Sequence, residues 1–321
     1  MAPPTALPTY DQLPIDPKYP DKTAWGVWGE DDNLGTLNNV TPEITVNASH
    51  CIKKGRAFPL NWELEKPCPT MFAREKITHN FKSIAGGLAN DDFYDGFNPQ
   101  ASSQWDGLCH VAHLSSGKFY NGVEATEVCE NGKGRLGIHH MARRGVATRA
   151  VLLDYGRWAQ KNRPDFDPFE RIEVSVEELE LVAKAQNVTF QQGDVLLIRF
   201  GWIAKHDQLG EKVKELIPDP EHPIACGVKA CPETFAWIWN HHFAAVAGDN
   251  PAFEAFPPTD WSASCHAFLL GGIGSPIGEM FNLESLADDC AEDNVYEFFF
   301  TSAPLNKFKG VASPPNALCV K

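Results

Sequence analysis

The sequence predicts a single α/β domain built on a mixed sheet. Two observations predict it. Strand-like runs and helical segments alternate irregularly with no repeat period, and no shift in composition marks a linker. Hydrophobic residues make up 43% and charged residues 22% of the 321-residue chain, enough apolar side chains for one sizeable core.

Taken in order, residues 1–24 form an amino-terminal arm, with six prolines in the first 22 positions and little periodicity, so an extended path or a disordered tail is expected. Residues 25–321 are expected to form a single domain. Trp25 to Asn39, WGVWGEDDNLGTLNN, mixes tryptophan with Gly, Asp and Asn, the pattern of an irregular segment pinned by aromatic anchors. Strands are expected at Ala57 to Leu64, Val146 to Tyr155, Gly193 to Gly201 and Phe243 to Gly248, each rich in β-branched or aromatic residues. Ser175 and Glu178 make a capping box ahead of Leu179, Val182 and Ala183. Pro232 suits the first position of a helix through FAWIWNHH. A third helix is expected over Asn282 to Cys290. Lys205 to Gly227 is polar and proline-containing and reads as a surface excursion.

Charge narrows the partners. With 28 Lys and Arg against 42 Asp and Glu, the formal charge of −14 disfavours nucleic acid and anionic membranes. A small-molecule substrate is expected instead. The nine cysteines include no CxxC pair, and an odd number cannot all pair within the chain, so reduced thiols are expected. The amino terminus lacks a basic region and apolar core, and no 18-residue apolar run occurs, so a cytoplasmic protein is expected.

Chemistry concentrates in QASSQWDGLCHVAH, which places Gln100, Gln104, Asp106, His110 and His113 within fourteen residues. If Gln104 to Asp106 is extended, Gln104 and Asp106 share a face, so an amide oxygen and a carboxylate can converge on one cation with His110 nearby as proton carrier. An aspartate capping a turn and a histidine satisfied by backbone is the alternative. Far along the chain, His266 and Glu279 bracket the apolar run AFLLGGIGSPIG. Such surroundings are costly for ionisable groups unless they are paired or bound, although Glu279 could instead cap the following helix.

The spacing of Gln100, Gln104, Asp106 and His110, together with His266 and Glu279, resembles the cyclase family of metal-dependent hydrolases, which includes bacterial kynurenine formamidase and isatin hydrolase. The family signature reads His-x-Gly-Thr-His-x-Asp-x-Pro-x-His. Here QASSQWDGLCH occupies that frame, with Asp106 and His110 matching and both earlier histidines replaced by Gln100 and Gln104. GRLGIHHMARRGVATRAVLLDYGRW, GDVLLIRFGW, AAVAGDN and the closing YEFFFTSAPL with GVASPPNAL extend the likeness from about Trp25 onward.

The resemblance implies a swivelling β/β/α domain with a mixed central sheet, usually a homo-oligomer, dimer or tetramer. It implies metal ligands at Gln100, Gln104, Asp106, His266 and Glu279, and His110 as catalytic acid and base. Trp62, Phe72 and His139 are candidates for contact with substrate. Glutamine offers a neutral amide oxygen suited to a harder ion than zinc, and two carboxylates balance one divalent ion, so one metal, manganese or zinc, is expected, with magnesium also compatible. The expected reaction is hydrolysis of a cyclic or aryl amide, imide, lactone or ester. A metal-independent cyclase, dehydratase or isomerase using His110 and the two amides is the alternative, and a non-catalytic binding protein a third reading.

Other features are set aside. GGIG at Gly271 lacks the strand, spacing and downstream acid of a dinucleotide fingerprint, so no nucleotide cofactor is expected. His139 and His140, if on a strand, face opposite ways, and His241 with His242 suits a helix end. Cys109 points away from His110 in extended chain and makes a poor nucleophile; FAWIW and YEFFF read as packing or an oligomer interface.

Overall fold

The computed structural model describes residues 6–128, 132–217 and 219–321. Cys129, one of the nine cysteines, lies outside them, and Cys51, Cys68, Cys226, Cys231, Cys265, Cys290 and Cys319 are free thiols. A nine-stranded sheet runs through the molecule in the order Ala57–Pro59, Ala317–Val320, Glu297–Ser302, Val146–Leu153, Val195–Ile198, Ala245–Gly248, Ile277–Glu279, Gln104–Asp106, Ala312–Ser313. The four strands from Val146–Leu153 to Ile277–Glu279 are parallel, and antiparallel pairs flank them on both sides. The sheet is therefore mixed, and with eight α-helices among the described residues the fold is α/β.

The parallel strands are apolar nearly throughout because both their faces are covered. Alternation divides them between two layers. Val151, Leu153, Leu196, Ile198, Val246 and Ile277 pack with Leu179 and Val182 of one helix and Phe235 and Ile238 of another. Ala150, Leu152, Val195, Leu197 and Ala247 face Trp105, Phe281, Phe298 and Phe300. All four expected strands are present, each shorter than its apolar run.

Local signals set the helices. Ser175 Oγ accepts from the Glu178 amide at 3.3 Å and Glu178 Oε2 accepts from the Ser175 amide at 3.0 Å, closing the box that starts Val176–Ala185. Pro232 opens Pro232–Asn240, and His241 caps its end. The third expected helix spans Glu284–Asp293 and stops at Asn294, in left-handed conformation.

Three expectations change. His139 and His140 begin the helix His139–Arg144 and do not lie on a strand. The stretch read as an excursion is partly helical, in the end of Trp202–Leu209 and at Val213–Leu216, because Leu209, Val213 and Ile217 give it an apolar side to bury. The described part of the arm packs closely: Tyr10 and Leu13 are buried, the Tyr10 amide donates to Asn240 Oδ1, and Trp239 Nε1 donates to Pro8 O.

The irregular segment from Trp25 to Asn39 is ordered and touches the turn after His266. Thr36 N donates to Gly274 O at 2.9 Å, and a Cβ on Gly35, whose φ is +55°, would lie 1.8 Å from that oxygen. Only glycine fits there.

Lys321 is anchored beneath the sheet edge, its ammonium 2.8 Å from both Asp289 and Asp293, while Lys54 pairs with Asp293 at 2.7 Å. Burial works to raise the Asp293 pKa, but the hydrogen bonds from Lys321 and Lys54 outweigh it and hold it down to about 2. A depressed carboxylate stabilises the fold above its unfolded pKa of about 3.9 and loses that contribution as pH falls through its folded value. Asp293→Asn should therefore be less stable than the natural protein at pH 7, with the difference closing between pH 4 and 2 in urea unfolding series.

Candidate active site

Strand register builds the site. Gln104–Asp106 runs antiparallel to Ile277–Glu279 with Gln104 opposite Glu279 and Asp106 opposite Ile277. Gln104 and Asp106 point to one side, as expected, and Trp105 to the other, where its Nε1 donates to Ser302 Oγ. Cross-strand partners lie about 5 Å apart, so Gln104 Nε2 reaches Glu279 Oε2 at 2.7 Å and Asp106 Oδ1 at 3.2 Å. Gln104, Asp106 and Glu279 are all buried.

Two further segments close the cluster. The chain turns after Asp106, and the His110 ring returns to within 3.8 Å of Asp106 Oδ2. His266 stands at the start of a π-helical turn, Ala267–Ile273, an arrangement frequent at functional sites. Its Nε2 faces Glu279 at 3.1 Å and Asp106 at 3.7 Å, and its Nδ1 meets Glu254 Oε1 at 3.0 Å.

The charges are interlocked. Burial opposes charge on His266, but Glu254, Asp106 and Glu279 outweigh it and hold the imidazole pKa well above its usual range. Burial also works against Asp106, yet His110, His266 and Arg74 keep its carboxyl below the ordinary value. Glu279 is raised to about 7 by burial and by the Asp106 charge. Burial, with help from His266 and Arg74, lowers His110.

The amides of Gln100 and Gln104 are oriented opposite to the expected way. Their nitrogens, not their oxygens, face the carboxylates: Gln100 Nε2 donates to Asp106 Oδ1 at 2.6 Å. The Gln104 oxygen accepts from the Arg74 guanidinium at 3.2 Å, and Arg74 also donates to the Gln100 carbonyl. Asp106 and Glu279 lie close together and accept the amide N–H groups, while Arg74 draws the Gln104 oxygen the other way, which explains the orientation.

Among the described residues, Asp106, His110 and His266 each offer one ligand atom within 4.8 Å of the others, a set that could hold a metal ion. Two imidazoles and a carboxylate suit a divalent transition metal. Glu254 beyond His266 is placed to fix the ring's tautomer if His266 were to ligate an ion. The residues thus fit one divalent ion without the two amides.

The candidate substrate contacts scatter. Trp62 is buried against Trp202 and His206, and its amide donates to Ser103 Oγ, which donates to Met280 O, so it supports the floor beneath the site. Phe72 lies nearer, with the Arg74 guanidinium over its ring and Phe256 at 5.3 Å. His139 packs on Phe308, and its Nδ1 accepts from the Lys309 amide, with no contact to the cluster.

Arg74 and Glu254 escape the sequence reading. Glu254, in the apolar NPAFEAF, carried the same signal that singled out Glu279, whereas Arg74 in MFAREK carries none. Backbone strain marks both. Phe72 and Ala73 before Arg74, Phe253 before Glu254 and Met280 after Glu279 all have φ between +50° and +60°. Left-handed non-glycine residues cost on the order of 1–3 kcal/mol each and gather where function demands them.

A buried cluster of carboxylates and imidazoles at the edge of a mixed sheet defines a chemically poised site of the kind enzymes carry. A family profile described as "Putative cyclase" matches residues 41–255, and the chain belongs to this cyclase family. Comparison with curated proteins returns no match. Among solved structures, a crystal structure of a novel cyclase is similar with a TM-score of 0.81 and 29% identity, over 93% of this chain and 99% of that one. Isatin hydrolase A from Labrenzia aggregata, bound to benzyl benzoate, has a TM-score of 0.59 at 14% identity over 82% and 93% of the two chains. Isatin hydrolase A from Ralstonia solanacearum has 0.58 at 15% identity over 83% and 92%. These two share the fold. Family and site together support an enzyme.

Removing Glu254 tests the cluster's integrity. Glu254→Ala leaves the His266 Nδ1 without its acceptor while Nε2 keeps Glu279 and Asp106, and an unsatisfied buried donor costs about 1–3 kcal/mol. Its urea midpoint should fall accordingly, while His139→Ala, outside the cluster, should shift it far less.

Proposed function

We propose that this protein is a metal-dependent hydrolase that opens or cleaves a cyclic or aryl amide, imide, lactone or ester of a small metabolite. The observation that carries the reading is the buried meeting of Asp106, His266 and Glu279 with the His110 ring 3.8 Å from Asp106, in a chain whose fold is that of the isatin hydrolases.

Asp106 and His266, with Glu279 beside them, would hold one divalent ion, manganese or zinc. When bound, such an ion acidifies a water and polarises a carbonyl. Glu254 keeps the His266 Nδ1 engaged, so Nε2 is the nitrogen turned inward. His110 is the member that is not locked in place: its side chain is 27% exposed and its nearest carboxylate is 3.8 Å away. It is the group that takes the proton of the attacking water and returns it to the leaving nitrogen or oxygen. Arg74, beside the mouth and above Phe72, orients a carbonyl or carboxylate of the substrate and steadies negative charge as it develops.

One observation favours a second reading. The amide nitrogens of Gln100 and Gln104 donate to Asp106 and Glu279, filling acceptor positions that a cation would otherwise take. A metal-independent cyclase, dehydratase or isomerase would use His110 as acid and base between those amides.

Elemental analysis of the purified protein should give one divalent metal per chain. Activity on a panel of cyclic imides, lactones and aryl amides should fall at least about 100-fold on exhaustive chelation and return with manganese or zinc. Turnover unchanged by chelation would establish the second reading. His110→Ala should lower kcat by about 10²- to 10⁴-fold with an unaltered far-ultraviolet circular dichroism spectrum.

A further inference from the structure

The parallel strands Val146–Leu153 and Val195–Ile198 end side by side, and each is followed closely by a helix, Tyr155–Asn162 and Trp202–Leu209. Between the two helices opens a cavity of about 530 Å³. It lies at the carboxyl ends of the parallel strands, the edge that also carries Glu279 at the end of Ile277–Glu279, and small ligands bind open α/β sheets along that edge. Its volume falls within the roughly 300–1,000 Å³ of small-molecule sites. None of its lining residues belongs to the cluster of Asp106, His110, His266 and Glu279.

The back wall is fixed by the backbone. The Asp249 carboxylate accepts the amides of Phe200, Gly201 and Trp202 at 2.6, 2.8 and 2.9 Å, and Asp154 accepts the Arg157 amide at 3.2 Å. These two acids already cap the helix starts, so the helix ends are not what the cavity offers a ligand. The Gly156 amide donates to Arg199 O at 2.8 Å, and a Cβ on Gly156 would lie 2.6 Å from the Phe200 oxygen. Glycine is what lets the two helix starts close on each other.

Side-chain donors face this wall. Arg199, Lys205 and Lys212 line the cavity, and no Asp or Glu does so among the described residues, in a chain of net charge −14. The Arg199 side chain is only 10% exposed, and Asp154 and Glu284 engage three of its five N–H groups, leaving two over. Lys205 is paired with Asp167. Lys212 and the amides of Gln160 and Gln208 have no partner among the described residues. Buried Phe200 and half-buried Phe166 and Leu209 supply the apolar lining. Unspent donors beside aromatic rings suit a planar apolar body that ends in an anionic group.

We propose that this cavity is a second ligand site, separate from the active site, for a small aryl carboxylate. The carboxylate meets Lys212 and the amide nitrogens of Gln160 and Gln208, and the ring lies against Phe166 and Phe200. This goes beyond the hydrolase reading and does not depend on it, since its test reads binding at residues outside the catalytic cluster.

The Ala204 methyl lines the cavity and reports on it locally. Labelled with carbon-13 in the full chain and assigned through Ala204→Gly, its resonance should shift on titration with benzoate and reach saturation. Benzamide, of the same shape and neutral, should bind at least about tenfold more weakly, the worth of one hydrogen bond to a charged group. Lys212→Glu, at an exposed position, should weaken benzoate by at least about the same factor with circular dichroism unchanged. An Ala204 methyl unmoved by about 10 mM benzoate, benzamide binding as well as benzoate, or Lys212→Glu titrating as the natural chain does would overturn the proposal, whichever way chelation decides the hydrolase reading.

Discussion

The site depends on one imidazole held between carboxylates. His266 meets Glu254 through one nitrogen and Glu279 and Asp106 through the other, all of them buried. Burying three carboxylates together is prohibitive unless positive charge or strong donors compensate. The ring, the two glutamine amides and Arg74 provide that compensation. A divalent ion would do the same work with the His266 proton released, so metal and proton compete for one place.

Sheet geometry makes this crowding possible. Antiparallel register sets Gln104 against Glu279, and the two-residue period brings Asp106 alongside. The amide then bridges both acids and separates their charges, a role imidazole could fill only as a cation. Gln104 is thus a strut between two carboxylates.

Much of the fold could be read from the chain because its signals are local. The capping box at Ser175 and Glu178 and the proline at 232 act within one helical turn, and the apolar runs at Val146 and Gly193 need no tertiary knowledge. Asp106, His110, His266 and Glu279 were legible through the family frame, and the structure brings them together. What failed was nonlocal. The direction in which an amide points depends on every charge around it, and Arg74 arrives from a segment with no pattern of its own. Trp62 looked like a pocket wall, yet Trp202 and His206, some 140 positions away, draw it into the core. His139 and His140, which would face opposite ways on a strand, open the helix His139–Arg144 instead.

The central claim is that this cage of carboxylates and imidazoles grips a single doubly charged ion. Anomalous diffraction from crystals grown with manganese tests it most directly. The account predicts one peak per chain within coordination distance of Asp106 and His266, with His266 still bound to Glu254. Absence of any peak there, with both glutamine nitrogens still seated on the carboxylates, would contradict it.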